Sequence, residues 1–216
     1  MIDLPASRYG VWSTRELVAR VGRRRLRALV RAGWLRELWP RVHVRADLVR
    51  DPATRAAAAL CYAGPGAVLS GPTAALLHGC TAVDRWEDRR LVHVTVPRWR
   101  RPPDQPGLRI HRAVVHEDDV VELDGLRVFT LDHVLADLLH RAPVPVARAC
   151  LEQALAAFAE ARPEQLREAV RRRLARYGPV DRPGTTRGWT SAMVRPGARY
   201  PLTTGRPGDR ALTTVL

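Results

Sequence analysis

The chain has 216 residues, with thirty-six basic side chains against twenty-two acidic ones and a formal net charge of +14. All the basic side chains are arginines, and neither lysine nor asparagine occurs. The length allows one large domain or two small ones, at roughly 100–200 residues per domain. Composition of 46 % hydrophobic and 27 % charged residues excludes a collagen-like or wholly disordered chain. No apolar run approaches the roughly 20 residues that span a bilayer, and Met1-Ile2-Asp3 lacks the basic-then-apolar start of a secretory signal. The expected location is the cytoplasm. Cys61, Cys80 and Cys150 are odd in number and widely spaced, with no CxxC pair, and read as small buried hydrophobes.

A strongly basic chain suits a polyanion, because neutralising phosphates releases counterions. An all-arginine, alanine-rich composition is also what a GC-rich genome produces, so the distribution of charge decides. Residues 1–50 carry twelve arginines against four acids, a net +8; residues 51–162 carry thirteen against fourteen, a net −1; residues 163–216 carry eleven against four, a net +7. Genome bias raises arginine everywhere and does not leave the middle of the chain neutral, so the two ends call for a specific reading.

Taken in chain order, Ser13-Thr14-Arg15-Glu16 fits a capping box with Ser13 as N-cap. Leu17, Val18 and Val21 follow at helical spacing, which predicts a short helix over residues 14–20 broken by Gly22. A second helix is predicted from Arg23 to Ala32, closed by Gly33 in a left-handed cap. At about 100° per residue, Leu26, Leu29 and Val30 share one arc, while Arg23, Arg24, Arg27 and Arg31 share a neighbouring one. Trp34 to Arg45 reads as a hairpin turning at Pro40-Arg41, with Val42 and Val44 inward; Leu35 and Leu38 break the alternation of its first strand, which calls for a bulge or a late strand start. Helix, glycine turn, arginine-bearing helix and hairpin is the order of a winged helix-turn-helix. In that reading Arg23, Arg24, Arg27 and Arg31 face the major groove, and Arg41 and Arg45 contact backbone or minor groove from the wing. Ser13, Leu17, Gly22, Leu26, Leu29, Gly33 and Trp34 hold the geometry.

The run "GVWSTRELVARVGRRRLRALVRAGWLRELWPRVHV" resembles the N-terminal winged helix-turn-helix of AbiEi-type antitoxins, regulators from bacterial type IV toxin–antitoxin and abortive-infection loci. The resemblance rests on Gly10, the Ser13-Thr14 cap, Gly22, Leu26 and Leu29, Arg31-Ala32-Gly33 and Val42-His43-Val44.

In the neutral middle, Asp51-Pro52 starts an alanine-rich helix running to about Ala63, stopped by Gly64-Pro65-Gly66, and a shorter helix lies between Ser70 and Gly79. The period then changes to two. Leu91–Pro97 and Leu108–Arg112 read as strands joined by a proline-rich loop, and Asp124-Gly125 introduces a third at Leu126–Thr130. A helix follows over Leu131–Leu139. Mixed helices and short strands, expected to be antiparallel, define an α+β fold class. "LSGPTAALLHG", "VHVTVP", "LRIHR" and "LDGLRVFTLDHVLADLL" resemble successive blocks of the second domain of actinobacterial AbiEi-like proteins, extending the likeness over roughly residues 8–160. The resemblance implies a domain concerned with antitoxin action and assembly on DNA rather than catalysis.

An enzyme alternative would draw on His93, His111, His116, Asp118, Asp119, Asp132, His133 and Asp137. No HxxxH or HExxH spacing joins them; His93 and His111 fit the solvated face of a strand pattern, and His78 fits a helix C-terminus. No catalytic residue, metal or cofactor is assigned. Val144–Glu160 is an amphipathic helix with Cys150, Leu151, Leu155 and Phe158 on its apolar side. Another runs from Arg162-Pro163 to Tyr177, with Leu166, Val170 and Leu174 inward and Arg171-Arg172-Arg173 either solvated or on phosphate. The glycine-, proline- and threonine-rich stretch 178–216 is expected to be disordered; "GARYPLTTG" resembles the entry to a Vsr-like nuclease domain, but Asp209 is the only carboxylate after Asp181, so that activity is not carried over.

The expected division is a winged helix-turn-helix at 1–48, an α+β domain at 49–142, a helical pair at 143–177 and a tail at 178–216. The expected function is a sequence-specific DNA-binding regulator repressing its own operon as an AbiEi-like antitoxin. The resemblance implies promoter repeats in double-stranded DNA as partner, a pair of protomers on one operator, and a neighbouring nucleotidyltransferase-like toxin that need not touch the antitoxin. A degenerate nuclease and a nonspecific nucleic-acid-binding module are the alternatives.

Overall fold

The computed structural model describes residues 4–86, 90–157 and 163–177. Phe158 of the expected apolar stripe, Arg162 and the 178–216 tail lie outside the described residues. Helices and strands are mixed in two sheets, and the fold is α+β.

The first sheet is built from β1 (Val11–Ser13), β2 (Leu35–Trp39) and β3 (Val42–Arg45), all antiparallel, in the order β1-β3-β2. Between β1 and β2 runs α1 (Thr14–Arg31), two helical segments joined at Gly22, which stands at φ 79°, ψ 156°. The β2–β3 register slips between Glu37 and Trp39, placing the bulge at Leu38. β3 is the central strand and is covered on both faces. On one side Trp12, Leu17, Leu26, Leu29 and Leu35 form a small apolar cluster under α1. On the other, Trp39, Val42 and Val44 join the main core with α2 (Pro52–Ala63). The head therefore shares its core with the body. Polar ties reinforce the junction: the Trp39 indole N–H donates to the Pro106 carbonyl at 3.1 Å, the Tyr9 hydroxyl to the Asp124 carbonyl at 2.7 Å, and the Thr54 hydroxyl to the Tyr9 carbonyl at 2.9 Å.

α2 begins as its residues dictate, with the Asp51 carboxylate accepting from the Thr54 amide at 2.7 Å and Pro52 in the first turn. The second sheet orders its strands β6-β5-β4-β8-β7, where β4 is Val68–Leu69, β5 Val92–Pro97, β6 Leu108–Ala113, β7 Val120–Leu123 and β8 Leu126–Phe129. The strands are not uniformly antiparallel as expected: β5 pairs parallel to β6, and β4 parallel to β8. Strand β5 has six residues and so spans about 20 Å, while the ten residues 98–107 reach about 33–36 Å when extended. The proline-rich loop can thus carry the chain back to the start of a parallel neighbour without a helix. Asp124 and Gly125, both at positive φ, form the two-residue turn of a β7–β8 hairpin, so a strand precedes the Asp-Gly pair as well as following it.

α3 (Gly71–Leu77), α4 (Leu131–Arg141), α5 (Val144–Ala157) and α6 (Pro163–Tyr177) complete the body. Val170 of α6 is fully buried, with Leu166 and Leu174 packed beside it. His78 ends α3, and its Nε2 lies 2.8 Å from the Phe129 carbonyl, a tie to β8. Cys80 and Cys150 are buried and Cys61 is half-buried; all three are free thiols. No helix among the described residues is long and apolar enough to cross a membrane.

Candidate nucleic-acid interface

The first helical segment starts with a complete capping box: Ser13 Oγ accepts from the Glu16 amide at 3.2 Å, and a Glu16 carboxylate oxygen accepts from the Ser13 amide at 2.7 Å. Leu17 is fully buried beneath it. At Gly22 a Cβ would meet nothing within 4 Å, so glycine is required there by the backbone alone. The second segment buries Leu26 and Leu29 and leaves Arg23, Arg24, Arg25, Arg27 and Arg31 exposed. It closes with Gly33 at φ 76°, where the Gly33 amide donates to the Val30 carbonyl and the Trp34 amide to the Leu29 carbonyl, a Schellman motif.

Trp34 is not in the core of this unit. Its side chain is 62 % exposed, because the neighbouring Leu35 takes the inward position of β2 and alternation turns Trp34 outward. The aromatic that fills the core is Trp12 on β1, whose indole N–H donates to the Pro5 carbonyl at 2.9 Å. Val30, grouped with Leu26 and Leu29 by helical angle, is 37 % exposed rather than buried with them.

Arg41 occupies the second position of the Pro40-Arg41 turn at φ 67°, in the left-handed region. Its backbone is held on both sides: the Arg41 amide donates to the Glu37 carboxylate at 2.8 Å, and the Arg41 carbonyl accepts from the Thr14 amide at 2.8 Å. The Thr14 hydroxyl in turn lies 3.0 Å from Nε2 of His43, a buried imidazole whose pKa is pushed down by burial against a smaller opposing effect of Glu37. The hairpin tip is thereby clamped to the first turn of α1.

This clamp has a geometric result. An open groove of about 710 Å³ runs between the two helical segments and the hairpin tip, bordered by Arg15, Arg23, Arg27 and Arg41, with Val18 and Leu26 among its apolar lining. Among the described residues no carboxylate pairs with Arg23, Arg24, Arg27, Arg31 or Arg41, so their charge is uncompensated at short range. Arg24 and Arg31 are exposed on the same segment beyond the groove's border. Arg45 is not brought to this groove. It lies at the opposite end of β3, its stem crosses Gly10, and its guanidinium grips the Asp47 carboxylate at 2.5 and 3.1 Å. Sequence reasoning misses Arg15 and the Glu37 clamp. The available signals are Ala19, whose small side chain one turn beyond Arg15 keeps the groove open, and an acid four residues before a turn arginine.

The acidic and histidine residues of the body assemble differently. Arg173 of α6 bonds the carboxylates of Asp119, at 2.7 Å, and Asp132, and lies 3.3 Å from His133 Nδ1. Burial raises both carboxyl pKa values, but the guanidinium more than offsets it and leaves both below the ordinary carboxylate range. Arg173 is therefore a fastener between α6 and α4 rather than a solvated or phosphate-bound side chain. Arg171 pairs with Glu168, and His133 stacks on Phe129 at 4.0 Å. Among the described residues no three of His, Cys, Asp and Glu are grouped to hold a metal ion.

No family model matches this chain, and no curated protein matches it. Among solved structures it is similar to the RV2827C protein from Mycobacterium tuberculosis, at 17 % identity and a TM-score of 0.48, over 85 % of this chain and 74 % of that one.

Proposed function

We propose that the chain is a sequence-specific DNA-binding regulator whose head, residues 1–48, works as a winged helix-turn-helix. The observation that carries this reading is the convergence of Arg15, Arg23, Arg27 and Arg41 on one groove made by two helical segments and a hairpin tip. Guanidinium groups are suited to guanine O6 and N7 and to phosphate oxygens, and a helix with such a face fits a major groove. Arg23 and Arg27 read bases, Arg24 and Arg31 engage phosphates beside them, and Arg41 enters from the wing. The sequence resemblance to AbiEi-type antitoxins supports the finer assignment: repression of its own operon in the cytoplasm, two protomers on repeated half-sites, and a nucleotidyltransferase-like toxin encoded beside it.

The test is a titration of the full chain on its own upstream DNA and on scrambled DNA of equal length, at fixed salt. Preference for the upstream DNA supports the proposal; equal affinity for both overturns it in favour of a nonspecific nucleic-acid-binding module. Arg27→Ala is expected to weaken the specific complex by about 1–3 kcal/mol with unchanged thermal unfolding.

A further inference from the structure

The body contains a half-open cavity of about 780 Å³, separate from the arginine groove of the head. It lies where the outer strands β5 and β6 run past α4, with Trp86 and Tyr177 at its walls. The sheet face turned toward it is unusual. Along β5, Val92, Val94 and Val96 fill the main core, while His93 and Thr95, on the other face, are 7 % and 4 % exposed. Parallel register sets Arg109 beside His93 and His111 beside Thr95 on that same face. A sheet face packed on a helix is ordinarily apolar, and a face left to solvent is ordinarily exposed. This one is polar, buried along β5 and half-buried to exposed along β6, and it lines a cavity.

The groups are placed to receive something. His93 Nδ1 lies 3.1 Å from His111 Nε2 and the two rings stack, so each orients the other. Burial lowers both imidazole pKa values, that of His93 to about 4, so at neutral pH the pair offers hydrogen bonds rather than charge. The Ser70 hydroxyl also borders the cavity; Ser70 is 7 % exposed and its Oγ meets no hydrogen-bond partner among the described residues. An orphaned buried hydroxyl is unfavourable unless a ligand or water satisfies it. Charge at the rim comes from Arg109, Arg112 and Arg141. Only Arg141 has an acidic partner among the described residues, Asp137 at 2.6 Å, so the rim is net positive. Ile110, Phe129 and Val134 supply apolar surface.

The geometry points to a binding site here for a small amphipathic anion, an apolar body bearing a carboxylate. Its charge lies at Arg109, its body between β6 and α4, and its edge on His111 and Ser70. The volume falls in the range of small-molecule pockets, and the lining has their usual character of apolar walls with a few convergent polar groups.

The probe is 2-naphthoate, with 2-naphthol as its uncharged counterpart, each titrated calorimetrically into the full chain at pH 7.5. One saturable site for naphthoate, at least about tenfold tighter than for naphthol, supports the site. Arg109 is exposed, so Arg109→Met leaves the fold intact and is expected to weaken naphthoate binding about tenfold, as the loss of one charged hydrogen bond. Ala113→Trp, which fills the cavity, is expected to abolish it. Absence of saturation at millimolar naphthoate, equal affinity for the two probes, or binding that ignores both variants overturns the inference. Should Ala113→Trp unfold the chain, backbone amide shifts on adding naphthoate decide: shifts at Thr95 and His111 support the site, and shifts confined elsewhere overturn it. The DNA titration of the head is an independent measurement, so failure of either reading leaves the other intact.

Discussion

Arg41 carries two demands at once. A non-glycine residue in the left-handed region costs about 1–2 kcal/mol, and a glycine at the second position of a Pro-X turn would avoid that cost. The position instead holds a guanidinium at the end of the arginine groove, with Glu37 and Thr14 bonding its backbone on either side. Arg41→Gly is therefore expected to leave the urea midpoint unchanged or to raise stability by up to about 1 kcal/mol, while operator affinity falls. Loss of stability and affinity in parallel would make Arg41 a structural residue only. Arg45 is the contrasting case: it is close to Arg41 in sequence, but the length of β3 and its own pairing with Asp47 keep its guanidinium away from the groove.

Among the elements, α1 depends on one interruption. Gly22, at φ 79° and ψ 156°, lets two helical segments lie at an angle and leave a groove between them. Open space around its missing Cβ means that Gly22→Ala would act through backbone conformation alone. The expected result is a loss of about 1–3 kcal/mol in chemical denaturation, accompanied by weaker DNA binding as the segments realign. A stable variant with full affinity would show that the interruption is dispensable. Elements with strong local signals are legible from sequence: the Ser13 box, the Asp51-Pro52 start, the Gly33 stop and the Pro40-Arg41 turn each lie where local chemistry puts them. β1, β4 and β7 are not: at two to four residues they show too little alternation to be told from loop, and no turn leads into them as Pro40-Arg41 and Asp124-Gly125 lead into the equally short β3 and β8.

For the molecule as a whole, the consequence of greatest weight is that the head's sheet is a shared layer. Trp39 packs into the main core and donates its indole N–H to Pro106. Trp39→Ala is expected to cost about 3–5 kcal/mol and to weaken DNA binding without touching the groove, as measured by unfolding and by operator titration. Acid should act globally too. His43, His78, His93, His111 and His133 are all held below the ordinary imidazole pKa, chiefly by burial, His93 at about 4. As pH falls below about 6.5 the unfolded chain takes up protons that the folded one refuses, so stability is full above that pH and declines toward pH 4. His93 alone contributes roughly 1–3 kcal/mol of that decline. His93→Gln should flatten the pH 4–6.5 limb of the unfolding free energy; an unchanged limb would assign it to other groups.

The α+β class, the helix caps and stops, the hairpin turn and the concentration of arginine at the ends can all be read from the residues alone. Those features rest on local dihedral preference, short-range hydrogen bonding and composition, which act within a few residues. Long-range packing was needed to place Trp12 rather than Trp34 in the core of the head, to set β5 and β6 parallel, to bring Arg41 but not Arg45 to the groove, and to fasten α6 to α4 through Arg173. It also turned His93 and His111 from expected surface residues into a stacked pair at a cavity, the first buried and the second half-buried. Each of these depends on which distant residue arrives opposite, and no local periodicity encodes that.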